Sequence, residues 1–226
     1  VDNIEDTTRP FPWQQARFAE LAELLDDPGQ AESILIEWGR REWPGLSDSE
    51  REMMTLENGL MLWQIYARIP AVYRRPIRQW AGVMARGMER SHNPYATDFF
   101  FNHGDIRLPC EEADYNLYCF YVAGTVGRMI TDLAIRFYGV RGEPAKLMID
   151  GSEAAGRALQ KTNIVKDFAK DLQRGVCFLP AEWMQEIDYA PLALEGVPDE
   201  WKRQVLRNVL AELEDSVQYV LALPPT

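Results

Sequence analysis

Apolar residues recur at helical spacing along almost the whole chain, and this periodicity restricts the possible folds more than any other feature. The segment 13–25 is an example, because its apolar residues fall on one face of a helix: Phe18, Leu21, Ala22 and Leu25. No alternation of polar and apolar residues longer than four positions is present, so the pattern predicts no strand. We therefore expect an all-α fold, with one domain over residues 1–226.

Breakers and capping residues divide the periodic pattern into separate helices. The predicted helices are 13–25, 31–41, 47–69, 76–90, 111–138, 144–172 and 199–223. Ser47 with Glu50 three residues later is typical of a capping box. Ser91–Pro109 is predicted to be a long loop and a candidate lid, Gly175–Pro180 a turn, and Pro191–Pro198 a polar loop.

Composition and charge exclude several classes of protein. The 226 residues are 46% hydrophobic, which is enough to bury a sizeable core. The net charge of −11 argues against non-specific nucleic-acid binding, because a phosphate backbone requires basic neutralisation. No apolar run reaches membrane-spanning length. The three cysteines show no paired spacing, so we expect free thiols in a reducing compartment, which favours a cytoplasmic location.

Two amides and two carboxylates share one stripe of a predicted helix. At 100° per residue, the following side chains lie within a narrow arc: Gln160, Asn163, Asp167 and Asp171. Leu159, Val165, Phe168 and Leu172 flank them, so we expect the stripe to be at least half buried. Oxygen ligands of this kind suit Mg²⁺, which completes its shell with waters and substrate phosphates. The alternative is a solvated surface stripe with Lys161, Lys166 and Lys170 beside it.

The first residues carry a second acid pair, in which Asp2 and Asp6 are separated by four positions and Glu5 adds a third carboxylate. Two such pairs on facing helices could hold several Mg²⁺ ions around a diphosphate and neutralise its charge. The alternative is an acidic helix start that stabilises the helix dipole.

Residues 118–127, YCFYVAGTVG, place glycines inside a helical run. Each helical glycine costs up to about 1 kcal/mol relative to alanine, so something must approach this face closely. Either a neighbouring helix or a ligand chain could do so. Tyr118, Val122 and Thr125 share a face, which places a phenol hydroxyl at one end of an apolar groove.

Taken in order, these three motifs resemble those of the squalene/phytoene synthase family of head-to-head prenyl transferases. Asp2–Asp6 matches the first aspartate-rich motif of that family, and Tyr118–Gly127 matches its tyrosine- and glycine-containing segment. The second aspartate-rich motif matches Ala158–Asp171, followed by Phe178–Pro180. The residues Gln160–Ile164 are more similar to squalene synthases than to phytoene synthases.

The resemblance implies a helical, terpenoid-synthase-like bundle around a central cavity. Two molecules of farnesyl diphosphate would condense there to presqualene diphosphate, and reduction by NADPH would then give squalene. By position in the motifs, the Mg²⁺ ligands would be Asp2, Asp6, Asn163, Asp167 and Asp171. Gln160 would lie beside them, and Tyr118 would take or relay the proton lost in ring closure. The prenyl cavity would be lined by Val122, Ala123, Val126, Gly127 and Leu159.

Other outcomes remain open at this point. The chain could belong to a relative that makes phytoene, dehydrosqualene or hydroxysqualene, or to a non-catalytic member that acts in assembly. The resemblance also implies helices before the first motif and after residue 225, so we expect the chain to be part of a longer enzyme. Lipid substrates and products are compatible with peripheral membrane association, and neither the oligomeric state nor an NADPH site can be assigned.

Overall fold

The computed structural model describes residues 1–27, 29, 31–188 and 196–224, and these form two compact units, Val1–Asn93 and Pro94–Thr226. The helices of the first unit are α1 (Asp2–Asp6), α2 (Phe11–Asp26), α3 (Ala31–Gly39), α4 (Asp48–Met53), α5 (Leu56–Arg68) and α6 (Ala71–His92). Those of the second unit are α7 (Glu112–Cys119), α8 (Thr125–Tyr138), α9 (Glu143–Gln173), α10 (Ala181–Gln185) and α11 (Asp199–Ala222). A two-stranded sheet, β1 (Phe100–His103) and β2 (Ile106–Pro109), also lies in the second unit.

Local sequence signals explain most of the helix boundaries in the first unit. The predicted capping box is confirmed, since the Ser47 hydroxyl accepts a hydrogen bond from the Glu50 amide and the Glu50 carboxylate accepts one from the Ser47 amide. The single predicted helix 47–69 is wrong, because Thr55 takes an extended conformation and caps a new helix, α5.

Helix α6 begins five residues earlier than predicted and contains Pro76. The proline ring is buried, and a proline near a helix start removes only one backbone hydrogen bond, so the helix continues through it.

The predicted long loop Ser91–Pro109 is wrong in its second half, where β1 and β2 form an antiparallel hairpin. The pairing runs from Phe100 with Pro109 to His103 with Ile106, and Gly104 adopts a positive φ in the turn. Phe99, Phe100 and Leu108 are almost completely buried. The hairpin is therefore anchored in the core of the second unit, and its action as a lid stays a prediction.

The remaining predictions for the second unit are largely confirmed. The predicted helix 111–138 is helical from Glu112 onward, with Glu111 as its extended N-cap and a π-helical turn at Phe120–Gly124 between α7 and α8. Helices α9 and α11 match their predicted ranges to within one residue. The short helix α10 is not predicted by the periodicity, and most of the predicted loop Pro191–Pro198 lies outside the described residues.

Helix α9 is the centre of the second unit and packs against α11, α8 and the π-helical turn. A Cβ atom at Gly127 would lie 2.1 Å from the Ser152 carbonyl oxygen, and one at Gly156 would lie 2.2 Å from the Ala123 carbonyl oxygen. A neighbouring helix therefore packs closely at Gly127, which is the first of the two alternatives, and the contact of this segment with a prenyl chain stays a prediction. Within the described part of the chain, no helix is both long and apolar enough to cross a membrane.

Candidate active site

The acid and amide stripe lies on one side of α9. Asn163 is exposed, whereas Gln160, Asp167 and Asp171 are partly buried. The Lys166 ammonium lies 3.1 Å from Asn163 Oδ1 and 3.3 Å from Asp167 Oδ2. A single cation can thus contact oxygens of two neighbouring stripe residues at once.

This donor set fits Mg²⁺. The oxygens are carboxylate and amide, and the Asp167 side chain is 41% exposed, which leaves room for a hydrated ion. Among the described residues, no group of three or more His, Cys, Asp and Glu side chains could by itself hold a metal ion. Mg²⁺ is commonly bound through one or two carboxylates together with waters and substrate phosphates.

The apolar flanks of the stripe are only partly as expected. Phe168 and Leu172 are buried and Val165 is partly buried, but Leu159 is 68% exposed. The expectation that Leu159 packs beside the stripe is wrong, because the rotation of α9 turns Ala158 and Lys161 into the core instead. The place of Leu159 in a prenyl cavity stays a prediction.

Lys161 is the main residue that sequence reasoning placed wrongly. Lys166 and Lys170 are exposed, as expected of a solvated helix edge, but Lys161 is only 1% exposed. Its ammonium donates a hydrogen bond to Glu212 Oε1 at 2.8 Å and lies 5.2 Å from the centre of the Tyr115 ring. A signal was present, since Lys161 precedes Ile164, Phe168 and Leu172 at the spacing of their buried face.

Glu212 is held by two cations from α9. Arg157 donates from Nε to Oε1 at 2.9 Å and from Nη2 to Oε2 at 3.1 Å, in addition to the bond from Lys161. Burial would raise the pKa of Glu212, but the hydrogen bonds from Arg157 and Lys161 outweigh it and hold the pKa below its ordinary value.

The acid pair Asp2 and Asp6 lies on α1 in the first unit, where Asp2 is exposed and Asp6 is partly buried. Their four-residue spacing places both on one side of this short helix. Glu5, the third acid, lies 3.3 Å from His92 Nδ1 at the end of α6. The joint action of this pair with the stripe on α9, in the other unit, stays a prediction.

Tyr118 is fixed between aromatic rings at the end of α7. It is 4% exposed, stacks on Phe178 with ring centres 4.7 Å apart, and meets the edge of Phe100 at 5.5 Å. The π-helical turn follows directly, and such turns are frequent at functional sites. Val122 and Ala123 lie in this turn, Val126 and Gly127 follow in α8, and all four are partly buried.

The tertiary structure brings Arg107 beside the segment that follows the stripe. The Arg107 amide donates to the Gly175 carbonyl oxygen, and the Arg107 carbonyl oxygen accepts from the Cys177 amide, both at 2.9 Å. Burial lowers the pKa of Arg107. No sequence signal connects these positions, since the hairpin lies far from the end of α9 along the chain.

The described fold matches a known helical architecture. The chain is similar to TcSQS solved in complex with the ligand E5700, with a TM-score of 0.73, at 22% identity, covering 99% of this chain and 60% of that chain. This likeness defines an all-helical, terpenoid-synthase-like fold apart from the small hairpin.

The family follows from the sequence comparison. The family model described as squalene/phytoene synthase matches residues 1–224. The chain therefore belongs to the squalene/phytoene synthase family.

Individual relatives differ in their products. The chain is 41% identical over 187 residues to the presqualene diphosphate synthase of Rhodopseudomonas palustris, covering 83% of this chain and 51% of that protein. It is 32% identical over 190 residues to the squalene synthase of Ganoderma lucidum, covering 80% of this chain and 35% of that protein. The phytoene synthase of Thermus thermophilus is 32% identical over 127 residues, 53% of this chain and 41% of that protein. The chain therefore spans between about a third and a half of these relatives' length.

Proposed function

We propose that the enzyme containing this chain condenses two molecules of farnesyl diphosphate head to head into presqualene diphosphate and then, with NADPH, reduces the product to squalene. The observation that carries the proposal is the stripe on α9, where one ammonium contacts both Asn163 and Asp167. Similarity to a presqualene diphosphate synthase and to a squalene synthase supports the choice of substrate.

In this proposal the polar residues bind the diphosphate groups. Bound Mg²⁺ would neutralise the diphosphate and make it a better leaving group. Its proposed ligands are Asp2, Asp6, Asn163, Asp167 and Asp171. Gln160 would accompany them, and the Lys166 ammonium would contact diphosphate oxygens directly, since it already lies among the stripe oxygens.

In this proposal Tyr118 and the apolar residues surround the carbocation, accept its proton and exclude water. Ring closure releases a proton, and the Tyr118 hydroxyl is the proposed group that takes or relays it, in an orientation set by stacking on Phe178. Val122, Ala123, Val126, Gly127 and Leu159 would line the prenyl cavity and exclude water, which would otherwise quench the cation.

Product analysis tests the proposal. The full-length enzyme is incubated with farnesyl diphosphate and Mg²⁺, with and without NADPH. Presqualene diphosphate without NADPH and squalene with it are the expected products. Dehydrosqualene without reductant, hydroxysqualene, or phytoene from the longer substrate would instead favour the corresponding relative, and the absence of any prenyl product would contradict the proposal.

Variants of the stripe show whether it is the site. Asp167→Asn and Asp171→Asn should each lower turnover by at least about 10²-fold, because each removes a carboxylate ligand of the Mg²⁺ that would neutralise the charge developing on the diphosphate. Asp150→Asn is the matched control, since Asp150 is an exposed acid on the same helix. If Asp167→Asn and Asp171→Asn turn over substrate as fast as the control Asp150→Asn, the diphosphate does not bind at the stripe.

A further inference from the structure

The buried pair of Lys161 with Glu212 connects α9 to α11 and has no part in the proposed chemistry. The side chains are only 2% and 10% exposed, and Nζ to Oε1 is 2.8 Å. Burying two charges removes both from water, and this desolvation cost offsets much of their attraction, so such a pair is weak evidence for stability. Its best-supported use is to fix how two elements pack against each other.

The first half of α9 approaches α11 through small residues, whereas in its second half Phe168 lies against Trp201 of α11, with ring centres 6.1 Å apart. A Cβ atom at Gly151 would lie 2.7 Å from the Tyr219 Cβ of α11, so the two helices approach closely through a residue without a side chain. Ala154 and Ala158 are also buried on α9. Small residues permit close packing, but they are not directional. The hydrogen bonds from Lys161 and Arg157 to Glu212 are directional and come from successive turns of α9.

Rotation of α9 matters because the same helix carries the stripe. Lys161 follows Gln160 directly and precedes Asn163 by two residues. On a helix about 10–12 Å across, a rotation of about 20° moves a side-chain oxygen by about 2 Å. Mg²⁺ requires near-ideal octahedral geometry at about 2.1 Å, so a shift of this size would misplace the oxygens.

We infer that Lys161 is a positioning residue for the stripe: its buried pair with Glu212 sets the rotation of α9 that presents Asn163, Asp167 and Asp171 together to Mg²⁺ and diphosphate. The inference rests on the proposed function, and it adds that affinity for the metal diphosphate depends on a lysine that touches neither. Removal of a residue that orients metal ligands without contacting the metal typically lowers metal affinity about 10–100-fold.

The test measures binding and stability in the same full-length variants. Calorimetry records the affinity for inorganic pyrophosphate in the presence of Mg²⁺, and thermal unfolding records stability. Lys161→Met should weaken pyrophosphate binding at least about tenfold at a temperature where the variant is fully folded. Lys146→Met is the matched control, an exposed lysine at the start of the same helix, and it should bind like the wild type.

Each outcome decides between positioning and simple stabilisation. If Lys161→Met lowers the melting temperature but binds Mg²⁺ and pyrophosphate like Lys146→Met, the pair serves only stability and the inference is overturned. If Lys161→Met does not fold, Glu212→Gln replaces it, because the amide keeps the volume and removes the charge. Failure of both variants to fold also overturns the inference.

The same measurements separate this inference from the proposed function. A wild type that binds Mg²⁺ and pyrophosphate but forms no prenyl product contradicts the proposed function, while the comparison of Lys161→Met with Lys146→Met still tests positioning. A wild type that binds no pyrophosphate with Mg²⁺ overturns both.

Discussion

Tyr118 is almost completely buried, and contacts with neighbouring aromatic rings fix its ring plane. Tyr118→Phe keeps the stacking on Phe178 and the edge contact with Phe100. We expect the variant to fold with these ring contacts intact and kcat to fall about 10²-fold, the usual contribution of a proton-transfer group. Single-turnover kinetics and thermal unfolding of the same preparation check both points, and an unchanged kcat would assign the proton to another group.

The Lys166 ammonium lies among the stripe oxygens, 3.1 Å from Asn163 Oδ1 and 3.3 Å from Asp167 Oδ2. Lys166→Met removes a positive charge that the diphosphate would otherwise contact, so KM for farnesyl diphosphate should rise about tenfold. Lys170→Met is the matched control, because it removes a neighbouring exposed lysine of the same helix. It shows how much KM changes when one positive charge is lost without loss of a specific contact. If the KM values of the two variants do not differ, Lys166 makes no specific contact.

The packing of α8 against α9 depends on a residue without a side chain. Gly127→Ala would place a Cβ atom 2.1 Å from the Ser152 carbonyl oxygen, so the helices must separate. We expect a loss of about 1–3 kcal/mol in the free energy of unfolding. Urea denaturation measures it, and the result applies to the helix crossing whatever the substrate is.

Gly82→Ala on α6 is the matched control for that substitution. Its Cβ would meet only the flexible end of Arg86, at 3.4 Å. Alanine should therefore raise stability by up to about 1 kcal/mol through helix propensity. We therefore expect Gly127→Ala to lower the free energy of unfolding and Gly82→Ala to raise it. If both substitutions raised it, α8 and α9 would not be in close contact.

The link between α9 and α11 should also appear in the pH dependence of stability. The pKa of Glu212 is lower in the folded chain than its ordinary value of 4.5, so the unfolded chain binds the proton more tightly. Its contribution is present above the ordinary pKa and is lost as the pH falls through the folded pKa. Wild type should thus lose stability more steeply than Glu212→Gln below about pH 4.5, measured as urea midpoints; parallel curves would mean that Glu212 is not held by Arg157 and Lys161.

Across the whole chain, the two acid pairs lie in different compact units, on α1 and on α9. If both hold the same Mg²⁺ and diphosphate, their effects cannot be independent. Asp6→Asn and Asp167→Asn should each lower kcat/KM strongly, while the double variant should lose much less than the product of the two losses. A double-mutant cycle measures the coupling, and strictly multiplicative losses would assign the pairs to separate sites.

Local patterns were sufficient for much of this molecule. Helical periodicity and capping predicted α2, α9 and α11 closely, because an amphipathic helix is specified by neighbours three and four residues apart. The stripe followed from the same geometry, since residues on one helix share a face whatever surrounds it. The free thiols Cys110, Cys119 and Cys177 were also correctly predicted.

Other features depended on residues far apart along the chain. The four-residue strands β1 and β2 are too short for a periodic signal and form because Phe99, Phe100 and Leu108 enter a core built by other elements. The break at Thr55 was missed because the apolar pattern continues across it, while the hydroxyl cap decides the backbone.

The sequence by itself determined the helices and the face on which the carboxylates stand, because both are properties of a few consecutive residues. Only the tertiary structure decided that Lys161 is buried and Leu159 exposed, and that Gly127 faces a helix. A charged lysine is buried at acceptable cost only if a countercharge meets it, and Glu212 lies 51 residues away on α11. Which side of α9 faces the core is thus a property of the assembled unit.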